Sequence, residues 1–286
     1  MFYSIGCFFR LSFLVNFIMF FSGCSSFVKK PEVNQVKKIA ILSVYANDKV
    51  VEAKGRGMVQ NWDQIFKMQV AEDFLAIYKS SFKKIGWIVV EPTEVLASAE
   101  YKAMFEVKQV ETSNETVNKV GNFLGDIGSK LMERSNKMNF FSPAGMYAIP
   151  FPANEKNCYG DCPPSPKKKL ADLAAKLKVD GIAVIQIDFC YEGGSWTSLG
   201  GLGEAFMTAA TSIKVVNKNA VTVVEMPTLQ ICDKSKNRAE STNSMVMNGG
   251  NLVFMTASKE KLRNMFKQAT SKSAHLAMKQ LGDQMK

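Results

Sequence analysis

The stretch VDGIAVIQIDF, residues 179–189, decides the fold. From Ile182 to Phe189 only Gln186 and Asp188 interrupt the apolar side chains, and the run is rich in Ile and Val. Branched side chains of this kind pack well on a pleated surface, so the segment reads as a strong strand. Asp180-Gly181 marks its start. Just upstream, Leu170, Leu173, Ala174 and Leu177 recur at helical spacing behind Ser165-Pro166, a cap followed by a first-turn proline. A helix feeding such a strand, and the pattern repeating along the chain, is what an α/β protein requires.

The pattern does repeat. KIAILSV, residues 38–44, reads as a buried first strand, followed by the polar stretch Ala46 to Asp48. From Trp62 to Lys79, Phe66, Val70, Phe74 and Ile77 fall near one face of an amphipathic helix. Gly86 to Val90 forms the next strand, closed by Glu91-Pro92, and Thr93 then caps a helix running to about Val107. Ser212–Val216 and Ala220–Val224 read as two further strands with Asn217-Lys218-Asn219 as their turn. The last helix runs from Ser258 to about Leu281, with Leu262, Phe266, Ala269 and Leu276 on one face. Residues 111–149 read as an insertion. In it Val117, Val120, Leu124, Ile127 and Leu131 keep helical spacing, while Gly121, Gly125 and Gly128 allow another backbone to come close. Proline and glycine crowd Pro143 to Pro166, which reads as a long loop. The expectation is one α/β domain over 36–286: a central sheet of about five strands packed with helices, carrying a helical insertion at about 111–166.

Hydrophobic residues make up 47% of the 286 and charged residues 22%, which is ordinary globular composition and excludes neither an enzyme nor a binding module. The formal charge is +10, and removing Arg10 with a leader of residues 1–23 leaves +9. Such an excess suits an anionic membrane surface or an anionic partner. The lysines are scattered rather than gathered into an arginine-rich stripe, so nucleic acid is not expected as a partner.

Residues 1–23 place Arg10 before an apolar run from Leu11 to Phe21 and then small residues, the layout of a secretory signal. With the Phe-rich residues before Arg10, the stretch nearly reaches the ~20 apolar residues of a spanning helix. An uncleaved anchor is therefore the alternative. Phe21-Ser22-Gly23-Cys24 resembles the lipobox of bacterial lipoproteins, with Phe21 where Leu is usual. The resemblance implies a diacylglycerol on the Cys24 thiol, cleavage before Cys24 and a flexible lipidated tether over residues 24–35. Ser25, where Asp often signals retention in the inner membrane, favours the outer membrane, with the inner membrane as the alternative.

Of six cysteines, Cys7 leaves with the signal and Cys24 carries lipid. Cys158, Cys162, Cys190 and Cys232 remain, an even number in an oxidising compartment, and four thiols allow three pairings. Cys158 and Cys162 lie close together in a turn-rich loop and suggest a local bridge. Cys190 and Cys232 each end a predicted strand and either pair or sit buried. A zinc site wants four good ligands, and the chain has one histidine, so neither a metal nor a cofactor is expected. That histidine, His275, lies off the apolar stripe of the last helix and reads as solvent-facing. Glu91 with Glu94 offers carboxylates but sits at a helix start. The glycines at 200, 201 and 203 lack the strand–turn–helix context of a phosphate loop. No catalytic constellation emerges, so an enzyme is not expected.

The order strand–helix–strand–helix, then helix–strand–strand–strand, then helix resembles the family of the curli secretion channel lipoprotein. Related periplasmic lipoproteins, including the activator of a penicillin-binding protein, share the small α/β core. Carrying the resemblance are Lys38 to Val44, Gly86 to Pro92, Ala171 to Asp188 and IKVVNKNAVTVV at 213–224, about 60% of the mature chain. It implies a non-catalytic binding or assembly module at the periplasmic face, meeting the membrane through its anchor and an envelope protein or a second copy through its surface. It also implies a rival, an oligomeric outer-membrane channel built from hairpins at 191–211 and 241–256. In the second, Met245 to Met247 and Leu252 to Met255 are apolar on consecutive residues, so alternation is poor and both arms are short. A hydrolase using carboxylates alone is the remaining alternative.

Overall fold

The computed structural model describes residues 27–47, 49–52, 57–59, 63–105, 140–149, 167–196, 202–226, 238–248 and 258–286. In chain order the strands are β1 (Phe27–Val28), β2 (Lys38–Asn47), β3 (Lys49–Glu52), β4 (Gly57–Val59), β5 (Ile88–Val89), β6 (Phe140–Phe141), β7 (Gly181–Trp196), β8 (Leu202–Asn217), β9 (Thr222–Met226) and β10 (Arg238–Asn248). The helices are α1 (Lys30–Val33), α2 (Gln64–Lys84), α3 (Pro92–Ala97), α4 (Ala99–Phe105), α5 (Lys167–Lys176) and α6 (Lys259–Met285). One mixed sheet runs in the order β1-β9-β8-β7-β2-β5. β2 pairs in parallel with both β5 and β7, whereas β7–β8, β8–β9 and β9–β1 are antiparallel. The α/β class is as expected.

Side chains of β7 alternate between the two faces, as strand geometry demands. Ala183, Ile185, Ile187 and Phe189 point to the larger core, under α2 and α6. Ile182 and Val184 point to a smaller one with Leu170, Leu173 and Ala174 of α5. β2 and β7 begin at the same end of the molecule, called here the strand-start end. There, Gly181 lies so close to β8 that an added Cβ would meet Val215 at 3.2 Å and the Val216 carbonyl at 3.3 Å. Asp180 locks this end: one carboxylate oxygen accepts from the Lys37 and Lys38 backbone N–H at 3.1 and 3.0 Å. At Asp180, burial raises the pKa, but the hydrogen bonds from Lys38 and Lys37 and the charge of Lys218 outweigh it and hold the carboxyl below its ordinary range.

Several boundaries differ from the expectation. The tether expected to run to Gln35 is already part of the fold from Phe27, because β1 pairs with β9 and Val33 and Val36 are buried. Those are short-range segments with no periodicity, and only the distant sheet edge makes them ordered. α2 runs five residues past Lys79, capped by Asp63, whose side chain accepts from the Phe66 N–H at 2.8 Å. Thr93 is not a cap, since Glu91 precedes a helix with Pro92 in its first turn. Ser98 divides the helix expected to reach Val107, its hydroxyl accepting from the Tyr101 N–H and so starting α4. The loop expected from Pro143 is tied down at its start. Ser43 Oγ donates to the Tyr147 carbonyl and accepts from the Ile149 N–H, and Tyr101 Oη accepts from the Tyr147 N–H.

The largest difference concerns the hairpins. β7 and β8 are paired from Gly181↔Asn217 to Trp196↔Gly203, 16 residues each, well beyond the strands expected at Ile182–Phe189 and Ser212–Val216. Cys190 therefore lies within β7 rather than at its end, opposite Thr208. The segment 241–248, expected as one arm of its own hairpin, belongs to β10, which pairs with β8. The insertion helix at 117–131 lies outside the described residues.

Candidate functional site

α2 and α6 run parallel across the larger core. Asp63 meets Lys259 near their starts, Phe66 packs on Phe266 at 6.5 Å between ring centroids, and Asp73 takes Arg263 in a two-pronged bond of 2.6 and 3.1 Å. The hydrogen bond that Arg263 donates to Asp73 raises the Arg263 pKa. Near the far ends, a Cβ built on Gly282 would lie 4.0 Å from Ile85. Sequence explains the pairing: each helix presents one aromatic and aliphatic stripe to the sheet, and small residues follow where the helices approach.

Between their outer flanks lies an open groove of about 610 Å³. Ala76, Ile77, Ile85 and Met278 line its apolar part, and Ser80, Ser271 and His275 add polar groups. Lys84, Lys267, Lys279 and Lys286 line it as well, against Asp73 and Asp283. Both carboxylates are occupied: Asp73 by Arg263 with Lys267 at 3.8 Å, and Asp283 by Lys286 at 3.4 Å. Lys84 and Lys279 have no carboxylate partner among the described residues. The groove thus combines an apolar floor with uncommitted cations and hydroxyls, and its size is that of a small-ligand pocket. Such chemistry holds an anionic or amphipathic group.

His275, read as solvent-facing, is exposed on the groove's rim. Leu276, placed on the apolar stripe, is only half-buried, and Ala274, Ala277 and Leu281 take the inner face. The groove escaped the reading of the sequence because its residues lie on the polar flank of each helix, where lysine and serine are unremarkable one helix at a time. Glu91 and Glu94 do not form a pair of free carboxylates, because Glu91 is held by Lys79 with Lys83 at 4.0 Å. Phe21, Ser22, Gly23, Cys24, Cys158, Cys162 and Cys232 lie outside the described residues. Among the described residues no group of three His, Cys, Asp or Glu side chains could hold a metal ion, and no helix is long and apolar enough to cross a membrane.

These features define the chain as an α/β protein with a cation-rimmed interhelical groove. No known family model matches it, and no curated protein matches it either.

Proposed function

We propose that this protein is a lipid-anchored binding module of the cell envelope, held by lipid on Cys24 at the periplasmic face of the outer membrane. It binds its partner, rather than transforming it, through the α2–α6 groove. The groove is the observation that carries this reading: an apolar floor, two uncommitted lysines and free hydroxyls on a rigid pair of parallel helices. The Phe21–Cys24 sequence supplies the anchor. With folding begun at Phe27, the anchor would hold the domain close to the bilayer.

Two measurements test the two halves. Labelled palmitate enters the wild-type chain and not Cys24→Ala, and equal labelling of both removes the anchor. A photocrosslinker at Ser271 captures an adduct in intact cells, which Ser80→Trp abolishes by filling the groove. An adduct that survives the filling, in a chain that still melts cooperatively, overturns the groove.

The channel reading gains from the length of β7 and β8 but loses to the helix layer. Phe266 of α6 packs on Phe189 at 4.7 Å between ring centroids. Only Cys190–Trp196 of β7 lies beyond that contact, about seven residues against the 9–11 of a bilayer-spanning strand. Discrete conductance steps from the lipidated chain in a planar bilayer would restore the channel.

A further inference from the structure

The scattered lysines of the sequence converge in space at the strand-start end. The segment from Lys29 crosses this end, since its N–H bonds the Val223 carbonyl beside the first residue of β9 and the chain next enters β2 at Lys38. It brings Lys30, Lys37 and Lys38. α2 ends there with Lys84, and α5 ends there with Lys176, followed by Lys178 just before β7. Of these six, five are exposed, Lys38 is half-buried, and none has a carboxylate partner among the described residues. The acids at this end are already engaged: Glu32 by Lys29 at 2.6 Å, Asp180 by Lys218 at 3.5 Å, and Asp283 by Lys286 at 3.4 Å. Lysines at helix C-termini offset the helix dipole, which accounts for Lys84 and Lys176 but not for Lys30, Lys37, Lys38 and Lys178. Among them stands Ile88, 62% exposed on the edge strand β5 and directly opposite Lys38.

We propose that this lysine-rich end, with Ile88 at its edge, is a membrane-facing surface that seats the domain on anionic phospholipid headgroups. Three features favour a membrane over other polyanions. The lysines come from three separate chain segments and form a broad end-on surface rather than a groove that would track a nucleic-acid strand. An exposed isoleucine among cations suits the boundary between headgroups and acyl chains. The register also places the surface near the proposed anchor. Phe27 lies opposite Glu225, Glu225 opposite Lys214, and Lys214 opposite Val184, so Phe27 sits three strand residues above Gly181, about 10 Å. Extended chain from Phe27 back to Cys24 spans at most about 11 Å. A lipid on Cys24 reaches the plane of the lysines, and a lipid plus a basic surface is the two-signal arrangement that makes membrane attachment stable. Only this last point rests on the anchor; the surface itself does not.

The test is amine-reactive footprinting of the full chain, recovered from membranes and placed on phosphatidylcholine vesicles with or without phosphatidylglycerol. Each lysine near an anionic surface adds enough attraction for about a fivefold change in occupancy. Labelling at Lys37, Lys38 and Lys178 should therefore fall about fivefold or more on the anionic vesicles and return at raised ionic strength, while Lys261 and Lys272 stay unchanged. The paired variant Lys37→Glu/Lys178→Glu should lose protection at Lys38 and Lys176, whereas Lys261→Glu/Lys272→Glu, equal in net charge, should keep it. Equal labelling at both ends, protection equally strong on neutral vesicles, or protection by RNA but not by vesicles would each overturn the proposal. Palmitate labelling reads the anchor separately, so a chain that takes up no lipid yet shows the footprint rejects the anchor and keeps the surface.

Discussion

The two faces of the sheet share strands yet solve burial differently. Under α2 and α6 the core is aromatic and fully buried, with Phe74, Phe189 and Phe266 in mutual ring contact at 4.7–6.5 Å. Polar groups enter that face as a chain in which Tyr78 Oη meets Thr211 Oγ1 and Thr211 Oγ1 meets Ser273 Oγ at 2.7 Å, while the buried Thr270 hydroxyl and Trp87 indole N–H have no hydrogen-bond partner among the described residues. Under α5 the packing is smaller and turns polar along the strands. Tyr45 Oη donates to Gln186, Gln186 donates to the buried Asp188, and Lys214 pairs with Glu225 at 3.0 Å on the neighbouring strand. One face is thus held by ring packing, whereas the other adds hydrogen-bonded and ionic pairs along the strands to a smaller aliphatic core.

The sharpest way to break this contrast is truncation. Phe74→Ala should cost about 3–5 kcal/mol, because it empties the centre of the ring cluster. Leu173→Ala on the α5 face should cost less, near the ~2 kcal/mol lower end for leucine. Urea unfolding with unchanged slope reads both, and equal losses would erase the distinction.

A smaller effect is expected from Thr211→Val, which keeps shape but leaves the Tyr78 and Ser273 hydroxyls without their shared partner, at about 1–3 kcal/mol. Tyr78→Phe, removing only the end of the chain, should cost less than that. Burial pushes the Tyr78 phenol well above its ordinary range, so absorbance titration should show it ionising only as the protein unfolds. A phenol that titrates with the exposed tyrosines would mean the face is wet.

The smallest effect is acid-side and sits where the two faces meet, at Asp180. Its pKa is lowered on folding, so its charge stabilises the fold above the unfolded value near pH ~4, and that contribution disappears as pH falls through the folded value. Asp180→Asn keeps one acceptor oxygen but not the charge. Its melting temperature should change less than that of wild type between neutral pH and about pH 3. A variant with the same acid-side slope as wild type would assign that slope to other carboxylates.

Much of this architecture was legible in the chain. The alternation of apolar runs and helical stripes determined the α/β class, the buried strands at Ile39 and Ile182, and the aromatic stripes of α2 and α6. Those are local signals, because period and propensity act through neighbouring residues. Tertiary structure alone decided three things. It ordered residues 27–36 by offering them a distant sheet edge. It extended β7 and β8 to 16 residues each, although Gly193, Gly194 and Glu192 weaken any strand signal there, because ladder pairing compensates for weak propensity. Lastly, it gathered lysines from three separate segments into one end and set Lys84 and Lys279 around one groove. Long-range charge and groove geometry depend on which distant residues become neighbours, and in a chain with scattered lysines no short window carries that information.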